Sequence, residues 1–232
     1  MNSSEDKLLI FDCDGVLVDS EIVANRIEAE ALTSIGYSLT IEECIKRFTG
    51  ISTNGLREII FKESGLDIPL DFLANQQDLI SKAFEIELRP LMTEILQMID
   101  EMKIMRCVAS SSPLSRVIKS LELTQQISFF NRDSIFTSQL VLKGKPAPDL
   151  FLFAAKQMGF SSENCLVIED SFSGIQAAIS AGMQVIGFLG GSHTQYEWYQ
   201  QKIKSYNIPI AYNTNELLLT LKECLNTERS LL

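Results

Sequence analysis

Two short acidic patches, each placed where an apolar run ends, constrain this chain more than any other feature. Leu8-Leu9-Ile10-Phe11 runs into Asp12-Cys13-Asp14-Gly15, and Cys165-Leu166-Val167-Ile168 runs into Glu169-Asp170. An uninterrupted apolar run of this length reads as a strand buried on both faces, as in a parallel sheet covered by helices. Residues just past such strands fall at the carboxyl-end edge, where open α/β sheets place their ligands. Carboxylates converging there without Arg or Lys between them repel unless a cation sits among them. Magnesium is the economical choice, because it prefers oxygen ligands and keeps several waters.

The segments between the patches set the architecture. Apolar residues recur at helical spacing over 21–35, and Gly36 closes the run. Thr40 and Glu43 have capping-box spacing ahead of a helix at 41–48. Helical runs over 53–64, ending at Gly65, and over 70–88 complete a stretch with no strand in it. From Arg89 onward helix and strand alternate: helices at 91–102, 113–122, 148–158, 172–181 and 216–226, and strands at 104–109, 134–137, 165–169 and 184–188. Such alternation implies a parallel sheet. The expected class is therefore α/β: a Rossmann-like parallel-sheet core of residues 1–19 and 89–232, with an all-helical insertion at 20–88 after the first strand. Gly190-Gly191-Ser192-His193 reads as a flexible loop at the ligand edge with a solvated His193. Tyr196, Trp198 and Tyr199 read as surface or packing aromatics.

Composition narrows the function classes. A net charge of −10 and a pI near 4.7 argue against binding to a phosphate backbone, which needs a basic surface. A small phosphorylated molecule is not excluded, since a divalent cation and a lysine or two can reverse the local field. The five cysteines (13, 44, 107, 165 and 224) are scattered and lack metal-ligand spacing. Buried thiols in a reducing compartment are the expectation. The first residues carry no apolar signal core, and no run approaches the length of a membrane span. A cytoplasmic, monomeric protein follows as the expectation, with neither nucleic acid nor membrane as partner and a small-molecule phosphate ester left open as one.

Asp12 and Asp14 are two apart, so an extended chain points both to one side, and Gly15 permits a bend after them. Two carboxylates at one edge can divide labour, one as nucleophile and one as proton carrier. The run Asp12-Cys13-Asp14-Gly15-Val16-Leu17-Val18-Asp19-Ser20-Glu21 resembles the opening motif of the haloacid dehalogenase superfamily, in its helical-capped sugar-phosphatase and phosphoglucomutase branch. Ser110-Ser111-Ser112-Pro113, Lys143 to Phe151 and Glu169-Asp170-Ser171-Phe172-Ser173-Gly174 resemble the later motifs of that superfamily in the same order. The resemblance implies that residues 20–88 are a cap. It also implies that Asp12 is the nucleophile and that Asp14 protonates the leaving alkoxide and then activates water. Ser110 and Ser111 are the implied phosphate contacts. The superfamily lysine directly precedes proline, which selects Lys145 over Lys143 for the phosphoryl group. Mg2+ is implied as cofactor, held by the carboxylates of Asp12 and Asp170 and the main-chain carbonyl of Asp14, with Glu169 as ligand or water holder. Thr53 and Asn54 are the weaker implied contacts that read the sugar. Ser20 is expected to cap the first helix of the insertion.

Departures from the pattern select the reaction. Dehalogenases of the superfamily lack the second aspartate, so Asp14 argues against carbon–halogen hydrolysis. β-Phosphoglucomutases carry a His, an Arg and a Lys where this chain has Ala24, Thr53 and Pro113. A mutase must hold both ends of a bisphosphate, so these losses favour hydrolysis, with a phosphomutase as the alternative.

Overall fold

A computed structural model describes residues 7–49 and 53–226. The chain divides into two compact units, residues 20–88 and residues 1–19 together with 89–232.

The first unit is helical: α1 (Glu21–Ser34), α2 (Ile41–Phe48), α3 (Thr53–Ser64) and α4 (Leu70–Glu87). Ala29, Leu32, Cys44, Phe48, Leu56, Ile60 and Ile68 form its buried centre. Thr40 and Glu43 make the reciprocal capping box that their spacing predicts. Gly36 and Gly65 follow α1 and α3 with φ of 94° and 74°, a region that costs glycine little. The expected Ser20 cap does not form. Ser20 is itself near-helical (φ −89°, ψ −33°), whereas a capping side chain needs an extended backbone to reach the first free amides.

The second unit is a six-stranded parallel sheet: β1 (Leu8–Phe11), β2 (Met105–Ser110), β3 (Ile135–Thr137), β4 (Cys165–Glu169), β5 (Gln184–Phe188) and β6 (Ile210–Ala211). The order is β3-β2-β1-β4-β5-β6. Its helices are α5 (Thr93–Glu101), α6 (Leu114–Leu123), α7 (Asp149–Met158), α8 (Phe172–Ser180), α9 (Glu197–Lys204) and α10 (Thr214–Asn226). This is the Rossmann-like α/β core that the alternation predicts. Strand numbers run outward from β1 in both directions, so the sheet reverses its winding between β1 and β4, where such sheets open a ligand crevice. All four residues of β1 are wholly buried, which explains an apolar run without alternation.

Register decides what meets at that crevice. Phe11 pairs with Val108 on one side and Ile168 on the other. The Asp12 amide then donates to the Ile168 carbonyl at 3.1 Å, extending the pairing by one residue. Asp12 and Glu169 consequently leave the sheet side by side, level with Ala109, and Ser110 follows one residue further along β2.

Two elements lie beyond the sequence expectation. β6 has two residues, too few for any period; it forms because Gly187 and Leu189 donate to the carbonyls of Pro209 and Ala211 at 2.9 and 2.8 Å. α9 buries Tyr199 and Ile203 and leaves charged residues outward. Among the described residues no helix is long and apolar enough to cross a membrane.

Candidate active site

The carboxyl end of β1 delivers Asp12 into a buried charged cluster. Lys145 Nζ donates to Asp12 Oδ1 and to Glu169 Oε1, both at 2.6 Å, and to the Ala109 carbonyl at 3.0 Å. The second Glu169 oxygen, Oε2, accepts from the Ser171 amide at 2.7 Å and its hydroxyl at 3.0 Å. Both Glu169 oxygens are thus engaged. Gly174 makes this possible: a Cβ there would occupy the space of the Glu169 carboxyl group. Lys143 is exposed, while the Lys145 side chain is 2% exposed.

Asp12, Glu169 and Asp170 each present a carboxylate oxygen within 4.8 Å of the others, the one such acidic group among the described residues. Lys145, expected at the phosphoryl group, lies between Asp12 and Glu169. One ammonium does not balance three carboxylates. Burial pushes the Asp12 carboxyl well above the usual carboxylate range; Lys145 offsets part of this, and Glu169, Asp170 and Asp14 add to it. Burial alone would lower the Lys145 ammonium, but Asp12 and Glu169 outweigh it and hold it charged. Three hard oxygen donors short of positive charge suit a divalent cation such as magnesium.

Asp170 is 2% exposed, and its Oδ2 lies 2.8 Å from His193 Nε2. This corrects the reading of His193 as solvated: the imidazole is 1% exposed. It packs edge-to-face on Tyr199 (centroids 5.3 Å apart, planes at 88°), and the Tyr199 hydroxyl reaches the Asp170 carbonyl at 3.3 Å. The loop expected to be flexible is a tied turn, with the Ser192 amide and hydroxyl donating to Asp19 at 2.9 and 2.5 Å. Gly15 (φ +85°) passes so close to Asp170 and His193 that a Cβ would collide with both.

Asp14 stands apart from the cluster. Its Oδ2 accepts from the Ser112 hydroxyl at 2.6 Å, and its Oδ1 lies 3.6 Å from Arg116 Nη2. The chain turns at Cys13, so the two aspartates share an edge but direct their carboxylates to different partners. Ser110, at the end of β2, is 1% exposed, and its Oγ accepts from the Ser112 amide at 3.0 Å. Ser111 is exposed, and its carbonyl accepts from Ser138 Oγ at 2.8 Å.

Asp12, Lys145, Glu169, Asp170, Asp14 and Ser110, all expected from the sequence, thus lie at one sheet edge. Ser112, Arg116, His193 and Tyr199 join them without having been singled out for a site. The Thr53 side chain lies outside the described residues, and Asn54 is an exposed residue at the start of α3. A groove of about 480 Å³ between α1 and α4, lined by Ile27, Ala31, Phe72 and Leu79 among others, holds none of these carboxylates. Converging charge, not cavity volume, marks the site. The five cysteines are free, and burial pushes the Cys13 and Cys107 thiols well up and Cys165 to about 11, so none is an activated nucleophile.

Comparison with known proteins agrees with this geometry. A family model described as haloacid dehalogenase-like hydrolase matches residues 9–188. A 6-phosphogluconate phosphatase of Escherichia coli strain K12 is 29% identical over 188 residues, covering 81% of this chain and 84% of that protein. Among solved structures, a haloacid dehalogenase-like protein of Agrobacterium tumefaciens is 30% identical with a TM-score of 0.83, over 94% of this chain and 99% of that one. A HAD family hydrolase of Deinococcus radiodurans, with bound phosphate and sodium, is 27% identical with a TM-score of 0.79, over 95% of this chain and 96% of that one.

Proposed function

This chain belongs to the haloacid dehalogenase-like hydrolase family, and we propose that it is a magnesium-dependent phosphatase acting on a small phosphorylated metabolite, a sugar phosphate. The observation that carries this reading is the separation of the two aspartates: Asp12 faces Lys145 and the acidic cluster, while Asp14 faces Ser112 and Arg116. A halide leaves without a proton. A phosphate ester needs one nucleophile and one proton carrier, and the two environments suit those tasks.

In the first step an Asp12 oxygen bonds to phosphorus as the bond to the ester oxygen breaks, and Asp14 gives its proton to that oxygen. In the second a water oxygen bonds to phosphorus, its proton passes to Asp14, and the Asp12–phosphorus bond breaks. The cycle restores both carboxyl groups and releases alcohol and inorganic phosphate. Lys145, fixed by Asp12, Glu169 and the Ala109 carbonyl, sits where negative charge grows on the phosphoryl oxygens. The Ser110 hydroxyl, which accepts from the Ser112 amide and keeps its own proton to donate, and the Ser111 amide supply neutral donors for the same oxygens.

The donor set fits magnesium. The Asp12 and Asp170 carboxylates and the Asp14 main-chain carbonyl would hold it. Glu169 stands behind them, since Lys145 and Ser171 occupy both of its oxygens. Bound there, the ion would supply the positive charge the cluster lacks and Lewis-acid stabilisation for a phosphoryl oxygen. Residues 20–88 serve as the cap, with Thr53 and Asn54 as the residues that select among leaving groups. The phosphatases among the relatives, including one for 6-phosphogluconate, support a phosphorylated carbohydrate as substrate.

The test is phosphate release from a panel of sugar and sugar-acid phosphates, with magnesium and in excess chelator. Magnesium-dependent turnover of at least one ester is expected. Full turnover in chelator would overturn the metal assignment, and inertness toward every ester in the presence of magnesium would overturn the activity.

A further inference from the structure

The Asp14 carboxylate is gripped at both oxygens by side chains with no other assigned task. Ser112 Oγ donates to Oδ2 at 2.6 Å, and Arg116 Nη2 lies 3.6 Å from Oδ1, an ion-pair distance rather than a hydrogen bond. The backbone fixes both partners. The Ser112 amide donates to Ser110 Oγ at 3.0 Å, tying the Asp14 contact to the serine at the end of β2. Pro113 immediately precedes α6, and its carbonyl accepts from the Arg116 amide at 3.0 Å, which sets Arg116 in the first turn of the helix.

We propose that Ser112 and Arg116 are positioning residues that hold Asp14 on the leaving-group side of the site. The inference rests on the reading of Asp14 as proton carrier. Two residues from Asp12, an unrestrained Asp14 side chain has several rotamers open to it, and only some of them reach the leaving oxygen. Ser112 and Arg116 hold it in one of them. Ser112 also suits a group that gives up and regains a proton in every cycle, since a hydroxyl can donate to a carboxylate or accept from a carboxylic acid by rotating.

The readout that separates positioning from mere structure is dependence on the leaving group. Protonation matters for an alkyl ester, whose alkoxide leaves poorly, and little for a 4-nitrophenyl ester. kcat/KM should be measured for ethyl, phenyl and 4-nitrophenyl phosphates with wild type, D14N, S112A, R116Q, R116K and the S112A/R116Q double variant, with melting temperature as a fold check. D14N should lose far more on ethyl than on 4-nitrophenyl phosphate. S112A and R116Q should show the same slope less steeply: for S112A the ratio of ethyl to 4-nitrophenyl kcat/KM should fall about 10-fold or more, the scale of a lost hydrogen bond to a charged group, and R116Q, which loses an ion pair without a hydrogen bond, should lower it less. The double variant should approach D14N, and R116K should recover most of the ratio. If D14N shows the slope but S112A and R116Q lower every ester by one common factor, the positioning role is wrong and the proton-carrier reading stands. If D14N itself lowers every ester equally, both are wrong.

Discussion

Replacing Lys145 by methionine removes the charge that joins Asp12 to Glu169 and keeps a side chain of similar length. Methionine can still pack on Phe151, over whose ring the ammonium now sits at 4.8 Å from the centroid. The effect is therefore electrostatic. The three side chains are 2%, 9% and 0% exposed for Lys145, Asp12 and Glu169, so water screens the pairs little and no discount for exposure applies. Removing one partner of a buried pair costs about 3–5 kcal/mol, because the charge left behind is uncompensated. For a unit of this size about 2–4 °C is lost per kcal/mol, so melting should fall by roughly 6–20 °C. Measured by calorimetry in chelator, the fall should be full. With added magnesium the gap to wild type should narrow, because an ion bound to the native state alone stabilises it, and the variant has more uncompensated charge to offer. Turnover should drop by about 10²–10³, the scale of a lost transition-state donor. A K145M protein melting within about 2 °C of wild type in chelator would refute the argument, since a buried pair of this kind cannot be so weak.

D12N should abolish both turnover and the phosphoenzyme, seen as loss of 32P transfer to protein, while D14N should fold and slow turnover of alkyl esters by roughly 10²–10⁴. G174A should cost about 1–3 kcal/mol in urea unfolding and depress activity, because its methyl displaces the Glu169 carboxyl group. G159A, at φ +80° with no atom within 4 Å of the added carbon, should cost only the backbone strain of about 1 kcal/mol and leave activity unchanged. Burial raises the Glu28 carboxyl above its ordinary value, so its contribution to the helical unit is complete below the unfolded pKa and lost as pH rises through the folded one. E28Q should accordingly melt higher than wild type near pH 7.5, with the difference shrinking toward about pH 4. N54A should change the ranking of sugar phosphates by kcat/KM more than the rate with 4-nitrophenyl phosphate; one common factor for all esters would refute a selecting role.

The sheet was legible because burial on both faces leaves an unmistakable signature. Leu8–Phe11 and Cys165–Ile168 carry no polar residue, and helical insertion and strand alternation separate along the chain by period alone. β6 was not legible, since a two-residue strand leaves no period, and its partners Gly187 and Leu189 are set by the path of the preceding strand. The failed Ser20 cap has a similar cause: composition fits a cap, but the local φ and ψ decide whether the hydroxyl faces the helix.

Within the site, the residues that could be read from sequence are those whose own strand end aims them at the edge: Asp12 after β1, Ser110 on β2, Glu169 and Asp170 at β4. Residues that answer those charges could not be read in the same way. His193 reaches Asp170 from a loop after β5, and a lone histidine between glycine, serine and threonine looks solvated until Tyr199 of α9 closes over it. Arg116 sits three residues past Pro113 in a helix with other charged residues, and nothing in its local sequence marks it as the one that turns toward Asp14. Glycines are the signal that could have found some of these contacts. A glycine held at a positive φ beside a carboxylate, as Gly15 is, or one whose Cβ space is filled by a carboxyl group, as Gly174 is, marks where backbone and charge approach too closely for a side chain. Read that way, Gly15 points to the Asp170–His193 pair and Gly174 to the Glu169 clamp. The motif glycines then encode how tightly the acidic cluster is packed, which is the property that leaves it short of positive charge.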